Sequence, residues 1–228
     1  MKRITLALLA AAILLLITAC APPMVTLGST FPAMYQNPPA SILILPPINK
    51  STAADAKEYF ACSLAEAVGM KGYYTMPVEP VFNVLRDEGM YDTETITPAV
   101  LGNLKKYFGA DAVLISSIEE WEKSWALVSG SLKITAKFAL LSTATADTLW
   151  DFTTETTVRI KSQSDNIFAA ALESAIKTAV EDYFPNCLTA NITTMDATLP
   201  YGKHHPEFNM DAEKTIPANK YGEIEIQK

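Results

Sequence analysis

Histidine is almost missing from this chain: its 228 residues hold only His204 and His205, adjacent to each other and followed by a proline. Hydrolases that attack through Ser, Cys or Thr need a base in reach, usually a histidine, and this pair offers a poor one. Neither a Gly-x-Ser-x-Gly elbow nor a glycine-rich phosphate loop occurs. Basic side chains are also scarce, 18 Lys and Arg against 25 Asp and Glu, for a net charge of -7. Such a chain has no electrostatic reason to bind nucleic acid. Only one long apolar run exists, and it stands at the start.

That run, residues 4–17, follows Met1-Lys2-Arg3 and ends in Thr18-Ala19-Cys20. A charged n-region, a short apolar core and small residues make a secretory signal. A spanning helix needs about 20 apolar residues, and here Pro22 and Pro23 follow at once. Ile17-Thr18-Ala19-Cys20 resembles the bacterial lipobox, an aliphatic residue and two small ones before a cysteine. The resemblance implies cleavage after residue 19, a diacylglyceryl group on the Cys20 thiol and an acyl group on its amine. Ala21 stands where an aspartate would retain enterobacterial-type lipoproteins, so the expected location is the outer membrane. Residues 20–40, rich in Pro, Met, Ser and Asn without apolar period, read as a lipidated flexible tether, although Phe31 and Tyr35 could dock.

Residues 41–186 carry the periodic signals. Ile42-Leu43-Ile44-Leu45, closed by Pro46, suits a strand buried on both faces. Ala56, Phe60, Leu64, Ala67 and Val68 form a helical stripe stopped by Gly69. Gly72 to Pro77 reads as a strand, and Pro80 to Glu88 as a helix with Val81, Val84 and Leu85 inward. Thr97, Pro98 and Gly109 punctuate the next helix, whose inward residues are Leu101, Leu104 and Phe108. Three strands follow: Ala112 to Trp125 with a bulge at Glu119-Glu120, then alternating runs through Leu132–Leu140 and Trp150–Ile160. A last helix, capped by Asp165, has Phe168, Leu172, Ile176, Val180 and Tyr183 inward and ends at Pro185. The fold class is thus a single-domain α/β sandwich of mixed sheet and helices in the order β-α-β-α-α-β-β-β-α. Residues 187–228 should wrap the domain surface or be disordered at their end.

Cys62 falls on the outward side of its helix and Cys187 opens the tail. In an oxidising compartment they are expected to pair, pinning the tail across that helix; the alternative is two independent thiols, one exposed. Glu119, Glu120 and Glu122 beside Trp121 and Trp125 are the nearest approach to paired catalytic carboxylates, which glycosidases hold roughly 5 to 9 Å apart. A solvated face is the expected role. His204 and His205, with Glu207 and Asp211, contain metal-ligand types, but neighbouring extended residues point to opposite sides. No metal or cofactor is expected.

Four stretches together carry a family likeness: "SILILPPINKS" (41–51), "SLAEAVGMKGYYTMPVEPV" (63–81), "FGADAVLISSIEEW" (108–121) and "LLSTATADTLWDF" (140–152). They resemble a bacterial lipoprotein family of unknown function that includes a neisserial genome-derived surface antigen. The likeness implies a fold similar to the amino-terminal domain of TolB, and a neighbouring gene for a lipoprotein like the curli secretion channel. The turn before Thr148 lacks the glycine often seen there. No catalytic residue is implied. The expected function is a lipid-anchored, non-catalytic interaction module of an envelope transport or secretion assembly, with the outer membrane, a curli-secretion-channel-like lipoprotein or a second copy as partners. The alternative is an envelope hydrolase acting on glycan or peptide.

Overall fold

A computed structural model describes residues 22–54, 56–126, 129–161 and 183–227. Its central sheet begins with the run expected to be buried on both faces: β2 (Ser41–Ile44) has Ile42, Leu43 and Ile44 at most 2% exposed. It lies between two parallel neighbours, β4 (Tyr74–Thr75) and β5 (Ala112–Ala126). A short β3 (Ile48–Asn49) pairs with β5 further along. From β5 the chain runs antiparallel through β6 (Ser129–Ser142) and β7 (Thr148–Lys161), the expected meander. β9 (Tyr221–Gln227) then adds a parallel edge strand to β7. The sheet is mixed, and the helices follow the expected order within it.

The bulge is where the side-chain pattern required it. Ile118 pairs with Ala136 and Glu120 with Thr135, so Glu119 is an extra residue on β5. Strict alternation would turn Ile118 and Trp121 to opposite faces, and the inserted residue lets both be buried, at 0% and 7% exposed. Along β6 every second residue from Leu132 to Leu140 is buried, while Lys133, Thr135 and Lys137 face outward.

Helix α3 (Ala56–Met70) supplies Phe60, Leu64, Ala67 and Val68 to the core. It runs one residue past Gly69, the expected stop, to Met70. The chain turns instead at Gly72, which has φ +83°. In α4 (Val78–Asp87) Phe82, not Val84, is the buried partner of Val81 and Leu85. Val84 is 43% exposed. Helix α5 (Pro98–Phe108) starts and stops as its punctuation indicates, with Thr97 accepting the first backbone bond from Leu101 and Gly109 left-handed at φ +70°.

The expected helix from Asp165, with Phe168, Leu172, Ile176 and Val180, lies outside the described residues. Its expected end at Pro185 is corrected: α6 (Tyr183–Thr198) runs on past that proline. Pro185 keeps its carbonyl as acceptor for the Thr189 hydroxyl at 2.7 Å. Helix α6 packs along α3, where Asn191 donates to the Phe60 carbonyl and the Ser63 hydroxyl. Phe60 stacks on Phe138 with centroids 6.0 Å apart, Phe138 sits the same distance from Trp150, and the Trp150 indole donates to the Thr198 carbonyl. Core and α6 are thereby joined by one aromatic row.

The tether reading fails for its central part. Residues 24–36 form β1 (Met24–Thr26), α1 (Leu27–Thr30) and α2 (Pro32–Gln36), with Leu27, Phe31 and Met34 buried. β1 pairs antiparallel with β8 (Thr215–Pro217) in the tail. Thus β1 and β8, about 190 residues apart in sequence, complete one another's backbone hydrogen bonds on the domain.

Candidate interaction surfaces

The acidic cluster lies on the outward face of the meander, where cross-strand lysines meet it. Lys133 sits 3.2 Å from Glu120, 3.3 Å from Glu122 and 3.9 Å from Glu155. Glu119 is held by Lys50 at 3.1 Å and Lys137 at 3.6 Å. Burial raises the Glu119 pKa, but the hydrogen bond from Lys50 leads a set of contacts that outweighs it and lowers the group overall. Hydrogen bonds from Lys133 and Thr135 lower Glu120 as well. A general acid needs a raised pKa; these carboxylates are stabilised as anions. The strip continues through Arg159–Glu225 at 2.5 Å onto the edge strand. It is a laced, solvated ladder.

Of the tail histidines, His205 is used for packing and His204 is exposed, its amide donating to the Gly72 carbonyl at 3.1 Å. The His205 ring stacks on Tyr201 at 3.8 Å with 3° between planes, and its Nδ1 accepts from the Glu207 amide. On Tyr201 also lies the Lys71 ammonium, 3.7 Å from the ring centroid and 3.6 Å from Asp196. Lys71 is 4% exposed. Burial, followed by Asp196 pulling the other way, leaves its pKa lowered to about 8. Beside it the backbones almost touch: a Cβ on Gly72 would stand 2.4 Å from the His205 nitrogen, and one on Gly202 2.6 Å from the Gly72 oxygen. Only glycine fits at either place. Asp211, weighed above as a metal ligand, accepts instead from the Tyr35 hydroxyl at 3.1 Å and the Tyr201 amide at 2.8 Å. It ties α2 to the tail. Among the described residues no group of three or more His, Cys, Asp and Glu is arranged to hold a metal.

The expected Cys62–Cys187 bridge is not made: both are free thiols. Cys187 is fully buried, its thiol against Ser63, and burial pushes it up to about 12. Cys62 precedes Ser63 by one residue, so it points about 100° away around α3. It opens into a cleft of about 280 Å³ with Glu58, Val78, Glu79 and Arg86. The two thiols therefore face different neighbours.

A larger groove, about 540 Å³, lies where the end of α6 meets β8 and β9, with Pro22 on its rim. No sequence pattern pointed to it, because its walls come from four separated segments. Lys71 and Asp111 were also missed. Asp111 accepts from the Ala40 and Ser41 amides at 3.0 and 3.3 Å and so fixes the entry to β2.

A family model described as "Putative lipoprotein GNA1162-like" matches residues 30–204. The chain belongs to this lipoprotein family. A curated relative, "Putative lipoprotein NMB1124/NMB1162" of Neisseria meningitidis serogroup B, is 26% identical over 77% of this chain and 80% of its own. The crystal structure of lipoprotein GNA1162 from Neisseria meningitidis aligns with a TM-score of 0.47 and 27% identity, over 65% of this chain and 99% of that one. The LpoB C-terminal domain from Salmonella enterica aligns with a TM-score of 0.38 and 16% identity, over 57% and 94%. The family match includes Lys71, Gly72, Tyr201 and Gly202, and therefore the contact that seats the start of the tail. β1, β8 and β9 lie outside it. In this GNA1162-like lipoprotein the expected lipidation site, Cys20, is outside the described residues. The docked segment begins only a few residues later.

Proposed function

We propose that this GNA1162-like lipoprotein is a lipid-anchored, non-catalytic interaction module of the outer membrane, accessory to an envelope transport or secretion assembly. The observation that carries the reading is the lipobox cysteine in a member of a lipoprotein family, placed four residues before β1. At 3.3 to 3.6 Å per residue the link from Cys20 to Met24 spans at most about 14 Å. An acylated Cys20 would keep the domain against the bilayer rather than on a long leash. Two acyl chains already suffice for stable anchoring, since each buried methylene contributes ~0.8 kcal/mol.

Against a hydrolase stand the lysine contacts of Glu119 and Glu120, which lower both carboxyl groups and favour their anions over the protonated acid such chemistry needs. The partners that fit are other envelope lipoproteins, including a curli-secretion-channel-like one, or a second copy along β9. Cross-linking in intact cells followed by purification from the outer-membrane fraction tests this. The expected result is a discrete complex retained by Glu119→Gln and Glu120→Gln proteins and lost from the membrane in Cys20→Ser. A wild-type protein recovered uncrosslinked and wholly in the inner membrane would refute it.

A further inference from the structure

The 540 Å³ groove is walled mainly by Phe152, Ala197, Ile216, Pro217 and Ile224, with Pro22, Asn219 and Glu223 also lining it. Gly222 keeps its floor open, since a Cβ there would press on the Phe152 ring at 3.2 Å. Pro23 is fixed beside it by its carbonyl, which accepts from the Ala218 amide at 2.8 Å. Met24, 55% exposed, pairs with Pro217 at the same border. The N-terminal chain therefore leaves the domain at the mouth of the groove, and Cys20 lies two residues beyond Pro22. That distance is about 7 Å even when fully extended.

We infer that this groove receives one acyl chain of the Cys20 anchor. The inference rests on the lipid-anchor reading above. Apolar walls, an open end and an attachment point within two residues suit a flexible hydrocarbon chain, whose transfer out of water is favourable in proportion to the area covered. Giving up one chain leaves two in the bilayer, enough to hold the protein there. The domain would then be oriented with Pro22, Met24 and β8 toward the membrane.

The test uses the full-length lipoprotein, labelled in cells with a diazirine-bearing palmitate, purified in detergent and irradiated. Peptide mass spectrometry first reads Cys20 itself. An unlipidated Cys20 overturns the anchor reading and the groove assignment with it. With lipid present, intramolecular adducts are expected on the peptides holding Phe152, Ala197 and Ile224, falling to background in Ala197→Trp, which fills the groove from a half-buried position. Adducts confined to other surfaces, to a second copy or to surrounding detergent overturn the groove assignment and leave the anchor standing. As a second readout, Cys20→Ser protein should bind a fluorescent fatty acid saturably, and the same protein carrying Ala197→Trp should not. Equal binding by both refutes the site even if one variant labels poorly.

Discussion

Leu27→Ala separates a docked N-terminal segment from a tether. Leu27 opens α1 and is 0% exposed. Its amide donates to the Lys214 carbonyl at 2.8 Å, and the next amide, of Gly28, donates to the Ala212 carbonyl at 2.9 Å. Truncating a fully buried leucine costs about 2 to 5 kcal/mol through lost burial and the cavity left behind. For a domain of this size each kcal/mol moves Tm by about 2 to 4 °C, so the midpoint should fall by roughly 4 to 20 °C. A residue in a free spacer would change stability by no more than about 0.5 kcal/mol. Met24→Ala, at a 55% exposed neighbour, is the matched control. The assay is urea and thermal unfolding of the unlipidated chain from residue 21, with hydrogen exchange of the Gly28 amide. Unchanged midpoints together with unchanged exchange in Leu27→Ala would show that the segment is not docked.

Three further outcomes are expected. Ala146 holds the turn before β7 at φ +63°, a left-handed conformation that costs an alanine about 1 to 2 kcal/mol. Ala146→Gly should stabilise the protein by about 0.5 to 1 kcal/mol after the unfolded-state entropy of glycine is subtracted, and a lower urea midpoint contradicts the strain. Burial lowers Lys71 to about 8 in the fold, while an unfolded lysine stays near 10.4, so between these values the unfolded chain binds more protons and stability rises with pH. Lys71→Met should flatten that rise, read below pH ~10 because the buried phenols of Tyr35 and Tyr73 are raised and lose stability above it. Finally, maleimide should label Cys62 in the native protein, slowly because burial and then Glu79 raise its thiol, and Cys187 only after unfolding. Failure to label either after unfolding without reductant would mean that a bridge forms.

Much of the architecture was legible because its signals are local. The proline closing β2, the glycine ending α5 and the alternation of β6 each act within a few residues, and the bulge at Glu119 follows from asking Ile118 and Trp121 to face the same way. Gly69 misled because a glycine signals a helix end only if the chain needs to turn there, and Gly72 served instead. Val84 and Phe82 exchanged roles because a short stripe leaves the facing neighbour undetermined. Lys71 gave no pattern at all, since Asp196 and Tyr201 lie more than a hundred residues away, and Asp211 stood out only as a metal-ligand type because its bond from Tyr35 spans 176 residues.

By itself the sequence determined the mixed order of strands and helices and the wet face of the meander, and it carries the lipobox-like run before Cys20 on which the proposed anchor rests. All of these depend on residue type and short spacing. Tertiary structure decided that residues 24–36 and the tail dock, that Cys62 and Cys187 look in different directions, that Lys50, Lys133 and Lys137 pair with the acidic cluster, and that a groove opens beside Pro22. Each of these depends on surfaces that exist only after α3, α6 and β7 have come together, and docking follows there because an irregular segment can then bury its apolar side chains and satisfy its backbone at once.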